Sequence, residues 1–358
     1  MPGSIERGAP ASDAFLPFDV FMEQALYSPD GGFYQQRSEV IGPDGAYYTA
    51  PHASPLYAAA FAQRVGTALR GWHDAPAPRI VEVGPGNGLL AAGIITELGR
   101  QGGIPAGVSY DLVDRAAPRL SGALHAAERA ARPTGIRVRR AASLGEGGPF
   151  RGVVLFHELL DAQPARRFEV ARGAWRELGV STEGTRRTYR RRIARDLPPA
   201  MPSPHGLEEG TIVEIAPAAE TFLRDVGDHL VEGVAIVVDY GMEEDELIRA
   251  HPRGTLEGIR GHRVSEEPLA EIDSPDLSVF VNWTRLRRAG TRAGLRLAAD
   301  APLADALLAW GIEPLARAAQ EAATRPEDRV RLQLGIKNLL FGFERFRVLE
   351  FVAGNGTR

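Results

Sequence analysis

Two rhythms of apolar and polar positions run along this chain, and the switch between them is the first structural signal. From 18 to 29, FDVFMEQALYSP, apolar residues recur at helical spacing until SPDGG breaks the pattern. A Gly/Pro-rich loop, GPDGAYYTAPHASPLY, covers 42–57. YAAAFAQRVGTALR, 57–70, then resumes helical spacing ahead of a linker, HDAPAP, at 73–78. Beyond 79, short apolar runs alternate with amphipathic stretches. RIVEVG, GVSYDLVD, GIRVRRA and GVVLFH predict strands at 79–84, 107–114, 135–141 and 152–157, while 88–101 and 117–132 predict helices. Such alternation predicts a mainly parallel sheet with helices on both faces.

The rhythm lapses over 165–216. There FEVARGAWRELGV reads as a hairpin, and TRRTYRRRIARDLPPAMPSPHG is basic and then Pro-rich. It returns with GVAIVVDYG at 233–241 and continues through DLSVFV, NWTRLRRAGTRAG, GLRLAAD and PLADALLAWGI. A helix near 327–340 and a closing strand, FERFRVLEF, complete it. The expected fold is therefore α/β, a Rossmann-like doubly wound sheet with an N-terminal helical lid and an inserted cap segment. The expected divisions are a lid and substrate loop at 1–78, a cofactor-binding half at 79–164, the cap at 165–216 and the rest of the sheet domain at 217–358. Trp283, Trp310, Phe341 and Phe343 are expected to serve mostly as core.

Composition narrows the function classes. The 358 residues are 44% apolar and 25% charged, ordinary for a globular protein. No apolar run reaches the roughly 18 residues of a membrane helix, and the N-terminus lacks a signal-peptide pattern. A net charge of -4 gives no general attraction to nucleic acid or anionic membrane. With no cysteine there are no disulfides or thiolate metal sites, and a cytoplasmic location is expected. The histidines form no ligand spacing, so no metal is expected. The arginine bias, with Lys337 the only lysine, reads as the coding bias of a GC-rich bacterial genome.

Candidate chemistry sits at two strand ends. IVEVGPGNG places Glu82 in a strand and Gly84, Pro85, Gly86, Asn87 and Gly88 in the turn that opens the next helix. Glycine lets backbone approach a ligand closely. A dinucleotide fingerprint needs G-x-G-x-x-G, but its sixth position here is Leu89. An acid two residues before the first glycine instead suits S-adenosylmethionine (SAM), whose amino-acid end needs no phosphate cradle. Asp114 ends the second strand, where a carboxylate can hold ribose hydroxyls. The competing interpretation makes the glycines a tight turn and Asp114 a helix cap.

The second site is FHELLDAQP, 156–164, at the lip of a buried strand. Ligands of doubly wound sheets bind outside the carboxyl ends of strands, so His157, Glu158 and Asp161 are the catalytic candidates. A base there could deprotonate an OH or NH acceptor, or carboxylates could grip a guanidinium in bidentate fashion. Helix capping by Glu158 and Asp161, with His157 packed under the cap, is the structural alternative.

Several stretches in order carry a resemblance. FMEQALYSPDGGFY, YYTAPHASPLY, IVEVGPGNGLLA, HELLDAQPARRF, VVDYG, GTLEGIRGHRV and DLSVFVNWT are similar to motifs of the MidA family of SAM-dependent methyltransferases. That family includes a mitochondrial arginine methyltransferase that helps assemble respiratory complex I. The resemblance implies a class I methyltransferase fold and SAM as cofactor. Against the family pattern, Ala46 replaces a loop Asp, His52 a loop Glu and His157 an Asn. His52 therefore joins the catalytic candidates, with Tyr48, Thr49, Ser54 and Tyr240 expected to bind substrate. Losing acids and gaining imidazoles points to methylation of a small molecule at O, N or acidic C, with a histidine base whose pKa is near 6.5 before environmental shifts. Protein arginine methylation, and a SAM-binding scaffold role, stay open as alternatives. The expected partner is a small-molecule acceptor, with a protein acceptor as the other option, and no nucleic acid or membrane. A homodimer is one option for the oligomeric state.

Overall fold

A computed structural model describes residues 15–35, 49–70, 72, 77–183, 186–260, 263–265, 269 and 276–354. The N-terminal part holds a short strand β1 (Leu16–Pro17), helix α1 (Phe18–Tyr27), a 3-10 turn at Phe33–Gln35, one helical turn α2 (Ala50–Ala53) and helix α3 (Pro55–Leu69). Ser54 starts α3 by accepting a hydrogen bond from the Leu56 amide, and Pro55 follows in the first turn. Proline costs nothing there, because its missing N–H would have no helical partner.

The strand–helix alternation appears as expected: β2 (Arg79–Val83), α4 (Leu89–Gln101), β3 (Ser109–Val113), α5 (Ala117–Ala131), β4 (Arg137–Ala141) and β5 (Phe150–His157). An antiparallel unit interrupts it, with β6 (Arg166–Ala171), β7 (Ala174–Glu183), β8 (Arg186–Ile193) and β9 (Ile212–Ile215). Its first hairpin turns on Arg172 and Gly173, both with positive φ, the twist that two-residue hairpin loops need. Helix α6 (Pro217–His229) and strand β10 (Leu230–Met242) return the chain to the main sheet. Next come α7 (Glu244–Ala250), three short strands β11 (Glu257–Arg260), β12 (Arg263–Ser265) and β13 (Asp276–Ser278), and β14 (Val281–Asn282). The remainder is α8 (Trp283–Arg292), β15 (Arg296–Pro302), α9 (Leu303–Ala309), α10 (Ile312–Ala322), α11 (Pro326–Phe341) and β16 (Phe346–Ala353).

The main sheet has the order β15-β16-β10-β5-β2-β3-β4, with β14 on the end of β10. From β10 to β4 every pairing is parallel, and β16 and β15 close one edge antiparallel. Apolar side chains of β2, β5 and β10 alternate between two cores, one under α3, α4 and α5 and one under α6 and α8. That double coverage explains why these strands read as continuous apolar runs. Among the described residues, no helix is long and apolar enough to cross a membrane.

The inserted unit forms a sheet of order β1-β7-β6-β9, with β8 on β7. It differs from the expected pocket cap, because none of its described residues lines the main cavity. It packs instead on α1: Val180 shares one buried apolar cluster with Phe18, Phe21, Met22 and Leu26, and Leu277 and Val279 belong to the same cluster. The insertion thus fixes the lid helix, and the lid helix reaches the cavity. The stretch DLSVFV, expected as one strand, divides between β13 and β14, which belong to different sheets. Trp283 and Trp310 are buried as expected, but Phe341 is 67% exposed at the end of α11.

Candidate functional site

The cavity opens where the carboxyl ends of β2, β3 and β5 meet, with a volume of about 380 Å³. That lies within the roughly 300–1,000 Å³ usual for small-molecule sites. The glycine loop forms its floor, Tyr27 and Tyr34 its lid side, and Ala218, Phe222 and Asp225 of α6 a far wall.

Gly84, Gly86 and Gly88 all have φ between 57° and 78°, left-handed backbone that side chains avoid. A Cβ at Gly84 would lie 2.7 Å from Leu159 Cδ1, and one at Gly88 2.6 Å from Ala123 Cα. Only glycine lets this turn pass between β5 and α5. The Gly84 amide donates to the Val113 carbonyl, which ties the loop to the end of β3. Pro85 and Asn87 line the cavity with the glycines.

Glu82 is 2% exposed and accepts a 2.7 Å hydrogen bond from Tyr110. Burial pushes its pKa up to about 7, because the charged form has lost its water. Asp114 also lines the cavity, and burial raises its pKa. Its Oδ1 accepts from the Ala116 amide at 2.7 Å. The helix-cap interpretation of Asp114 therefore describes one oxygen, while the residue still faces the cavity.

At the other strand end, Glu158 adopts φ 47°, a strained conformation for a side-chain-bearing residue. Its amide donates to the Val238 carbonyl, and Oε1 accepts from the Ala50 amide at 3.2 Å. Burial pushes its pKa up to about 8, with the neighbouring Asp161 charge adding to the shift. Asp161 Oδ1 is buried without a hydrogen-bond partner among the described residues, and burial raises its pKa to about 6. Asp239, which motif inspection did not single out, accepts from the Leu159 and Leu160 amides and thereby shapes the HELLD turn. Asp276 accepts from the Tyr34 hydroxyl at 2.7 Å, and burial lifts its pKa to about 7.

The histidines are placed differently from expectation. His157 lines the cavity but is buried, with Nε2 2.7 Å from the Tyr57 hydroxyl and 3.6 Å from Glu158 Oε1. Its ring also meets Tyr57 and Phe61 edge to face. Burial pushes its pKa down to about 3. Burial thus moves the ring well below the imidazole value of about 6.5 expected before environmental shifts, and makes it a weaker base. His52 bridges Thr49 Oγ1 at 2.8 Å and Asn87 Nδ2 at 3.3 Å, and is not among the lining residues. It braces α2 against the glycine loop.

Of the expected substrate-binding residues, Thr49 lines the cavity and Tyr48 lies outside the described residues, as does Ala46. Ser54 is buried and spends its hydroxyl on the α3 cap. Tyr240 donates to Ser278 Oγ at 2.7 Å and sits beside Asp161 behind the cavity wall. Tyr27, Tyr34, Arg119, Phe222 and Asp225 line the cavity without having stood out in the sequence. They belong to helices and turns whose local patterns read only as amphipathic, so no motif announced them.

Comparison with known proteins gives the same picture. Residues 61–299 match a family model described as S-adenosyl-L-methionine-dependent methyltransferase. A mouse mitochondrial protein arginine methyltransferase, NDUFAF7, is 25% identical over 300 residues, 75% of this chain and 64% of that protein. The Drosophila melanogaster homolog is 26% identical over 319 residues, 78% of this chain and 67% of that protein. The chain thus spans about two thirds of the length of these curated relatives. A Burkholderia thailandensis protein solved with S-adenosyl-homocysteine bound is 28% identical, with a TM-score of 0.80 over 94% of this chain and 88% of that one.

Proposed function

This chain belongs to the family of S-adenosyl-L-methionine-dependent methyltransferases, and we propose that its acceptor is a guanidinium nitrogen, as on an arginine side chain. The observation that carries the proposal is the set of buried acids around the lip of β5. Glu158 faces the cavity, Asp161 is buried behind it without lining the cavity, and among the described residues no arginine or lysine pairs with either. Buried carboxylates without a counter-ion are costly. A bound guanidinium would supply charge to both and hydrogen bonds to Glu158. The names of the curated relatives, protein arginine methyltransferases, point the same way.

The residues fit the cofactor. The three left-handed glycines let the loop lie close under the cavity, a path that a Cβ at Gly84 or Gly88 would block by meeting Leu159 or Ala123. In this reading the loop lies against the amino-acid end, Glu82 faces the ammonium, and Asp114 offers its second oxygen to the ribose. When bound, SAM supplies a methyl group activated by a sulfonium. Glu158 accepts the N–H groups of the acceptor, aims one nitrogen at the methyl and takes the proton that nitrogen loses. Most of the rate then comes from alignment and from charge held in a dry site. His157 keeps Tyr57 in place beside Glu158. A neutral O, N or acidic-carbon acceptor served by a histidine base draws no support from a ring this buried.

The test is transfer of labelled methyl from SAM to three acceptor classes: arginine-containing peptides, free guanidino compounds, and phenols or carbon acids. Labelling of guanidino acceptors, lost about a hundred- to ten-thousand-fold in Glu158→Gln, is the expected result. Labelling of phenols or carbon acids alone sinks the proposal. Labelling of free guanidino compounds without peptides keeps the chemistry and makes the acceptor a small molecule.

A further inference from the structure

A second hollow lies outside the site described above. It measures about 590 Å³ and is walled by α6, by α8 and by the Pro-rich loop that follows β8. Arg285 of α8, 7% exposed, ties the three walls together. It donates to Glu220 of α6 at 2.7 Å and to the loop carbonyls of Pro199 and Ala200 at 3.0 and 3.1 Å. Ala200 stands at φ 56°, a conformation that a side-chain-bearing residue keeps only where its surroundings impose it. Pro198 and Pro199 stiffen the backbone before it. The groove is therefore held open by the fold itself.

Charge is out of balance there. Glu220 is shared by Arg285 and Arg292, at 2.7 Å from each. Glu177, buried outside the lining, is likewise 2.7 Å from both Arg166 and Arg192. Two carboxylates thus serve four guanidinium groups. Arg224, exposed in the lining, meets the Thr221 hydroxyl at 3.5 Å, and among the described residues no carboxylate pairs with it. Asp196 is the remaining acid of the lining. That leaves five arginines against three acids, in a chain whose net charge is -4. Between the charges lie Ile215, Ala289 and Ala293, an apolar floor, with Leu197 46% exposed at its rim.

We infer that this groove docks a segment of another protein that is acidic and carries an apolar side chain. Carboxylates of the segment meet Arg224 and Arg292, and the apolar side chain covers the floor. A small polyanion would answer the charge and leave the floor bare, so a peptide fits better. Helix α6 separates this groove from the main cavity: Ala218, Phe222 and Asp225 face the cavity, whereas Glu220, Thr221 and Arg224 face the groove. Docking thus stands apart from the reacting atoms and does not rest on the identity of the methyl acceptor.

The test is fluorescence anisotropy of the full chain with labelled peptides of four glutamates around one leucine or one phenylalanine. Binding with a Kd below about 1 mM, weakened by salt and lost when lysines replace the glutamates, is the expected result. Arg224→Glu should weaken the leucine peptide about tenfold or more and Leu197→Ser about threefold, each with S-adenosylhomocysteine affinity changed by less than about twofold. Both side chains are exposed, so neither change threatens the fold. An unmodified protein that binds neither peptide overturns the inference. So does peptide binding that Arg224→Glu leaves intact, which would put the site elsewhere. Displacement of the peptide by equimolar pyrophosphate overturns it too, because the groove would then be a small-anion pocket.

Discussion

On the glycine-loop side of the cavity, the buried acid Glu82 is met by Tyr110 at 2.7 Å, and Asp114 has one oxygen occupied by the Ala116 amide. On the β5 side, Asp161 keeps a buried oxygen without a partner among the described residues. Among the described residues, the Glu158 carboxylate there meets the Ala50 amide and a neutral histidine. The first side comes from two neighbouring strand ends within 33 residues, 82–114. The second gathers Ala50, Glu158, Asp161, Asp239 and Asp276 from across the chain. One region is nearly complete without its ligand, and the other keeps buried carboxyl groups with bonding capacity that a ligand can use. A cofactor shared by many enzymes can be met by a local motif, whereas an acceptor particular to one enzyme needs a surface assembled from distant segments.

The largest expected effect breaks the local side alone. Gly84→Val combines a φ of 72° with a Cβ 2.7 Å from Leu159, so S-adenosylhomocysteine binding should vanish in calorimetry. If the variant binds normally, the loop does not carry the cofactor. Glu158→Gln should do the converse: turnover falls about a hundred- to ten-thousand-fold, while S-adenosylhomocysteine affinity stays within about threefold. Loss of both together would mean that the two sides are one unit.

A subtler separation comes from pH. Glu158 in the free enzyme releases its proton near pH 8, and a cationic acceptor needs it ionised. The acceptor kcat/KM should therefore rise about tenfold per pH unit up to about 8 and then level off. A profile already flat above pH 5 would show that Glu158 is ionised without the acceptor. Stability should run the other way. Glu82, Glu158 and Asp276 hold protons in the folded chain up to about 7, 8 and 7, against 4.5, 4.5 and 3.8 as ordinary values. The folded state binds more protons across that window, so it loses stability as pH rises through it. The melting temperature should be several degrees lower at pH 8 than at pH 5.5, and Glu158→Gln should flatten part of that slope. The smallest effect is expected from His157→Asn. With its ring neutral and bonded to Tyr57, the change should cost turnover less than about tenfold and leave the shape of the pH–rate profile intact. A strong loss that removes a pH dependence would restore histidine as the base.

Local pattern determined much of this protein. The apolar runs of β2, β3, β5 and β10 appear as strands because burial on both faces demands unbroken apolar sequence. The three glycines stand where backbone must be left-handed, and the strand-end positions of Glu82, Asp114 and Glu158 follow from topology. What only tertiary structure decided is the chemical state of those groups. His157 differs from an ordinary imidazole because Tyr57 and Phe61, a hundred residues away, exclude water from it. Asp239 gains its role from the Leu159 and Leu160 amides that it caps from 80 residues away. The 165–216 insertion supports the lid, not the cavity, because β7 pairs with β1 and so reaches α1. Protonation, partners and the direction of a side chain depend on desolvation by residues distant in the chain, and spacing along a sequence carries no measure of that.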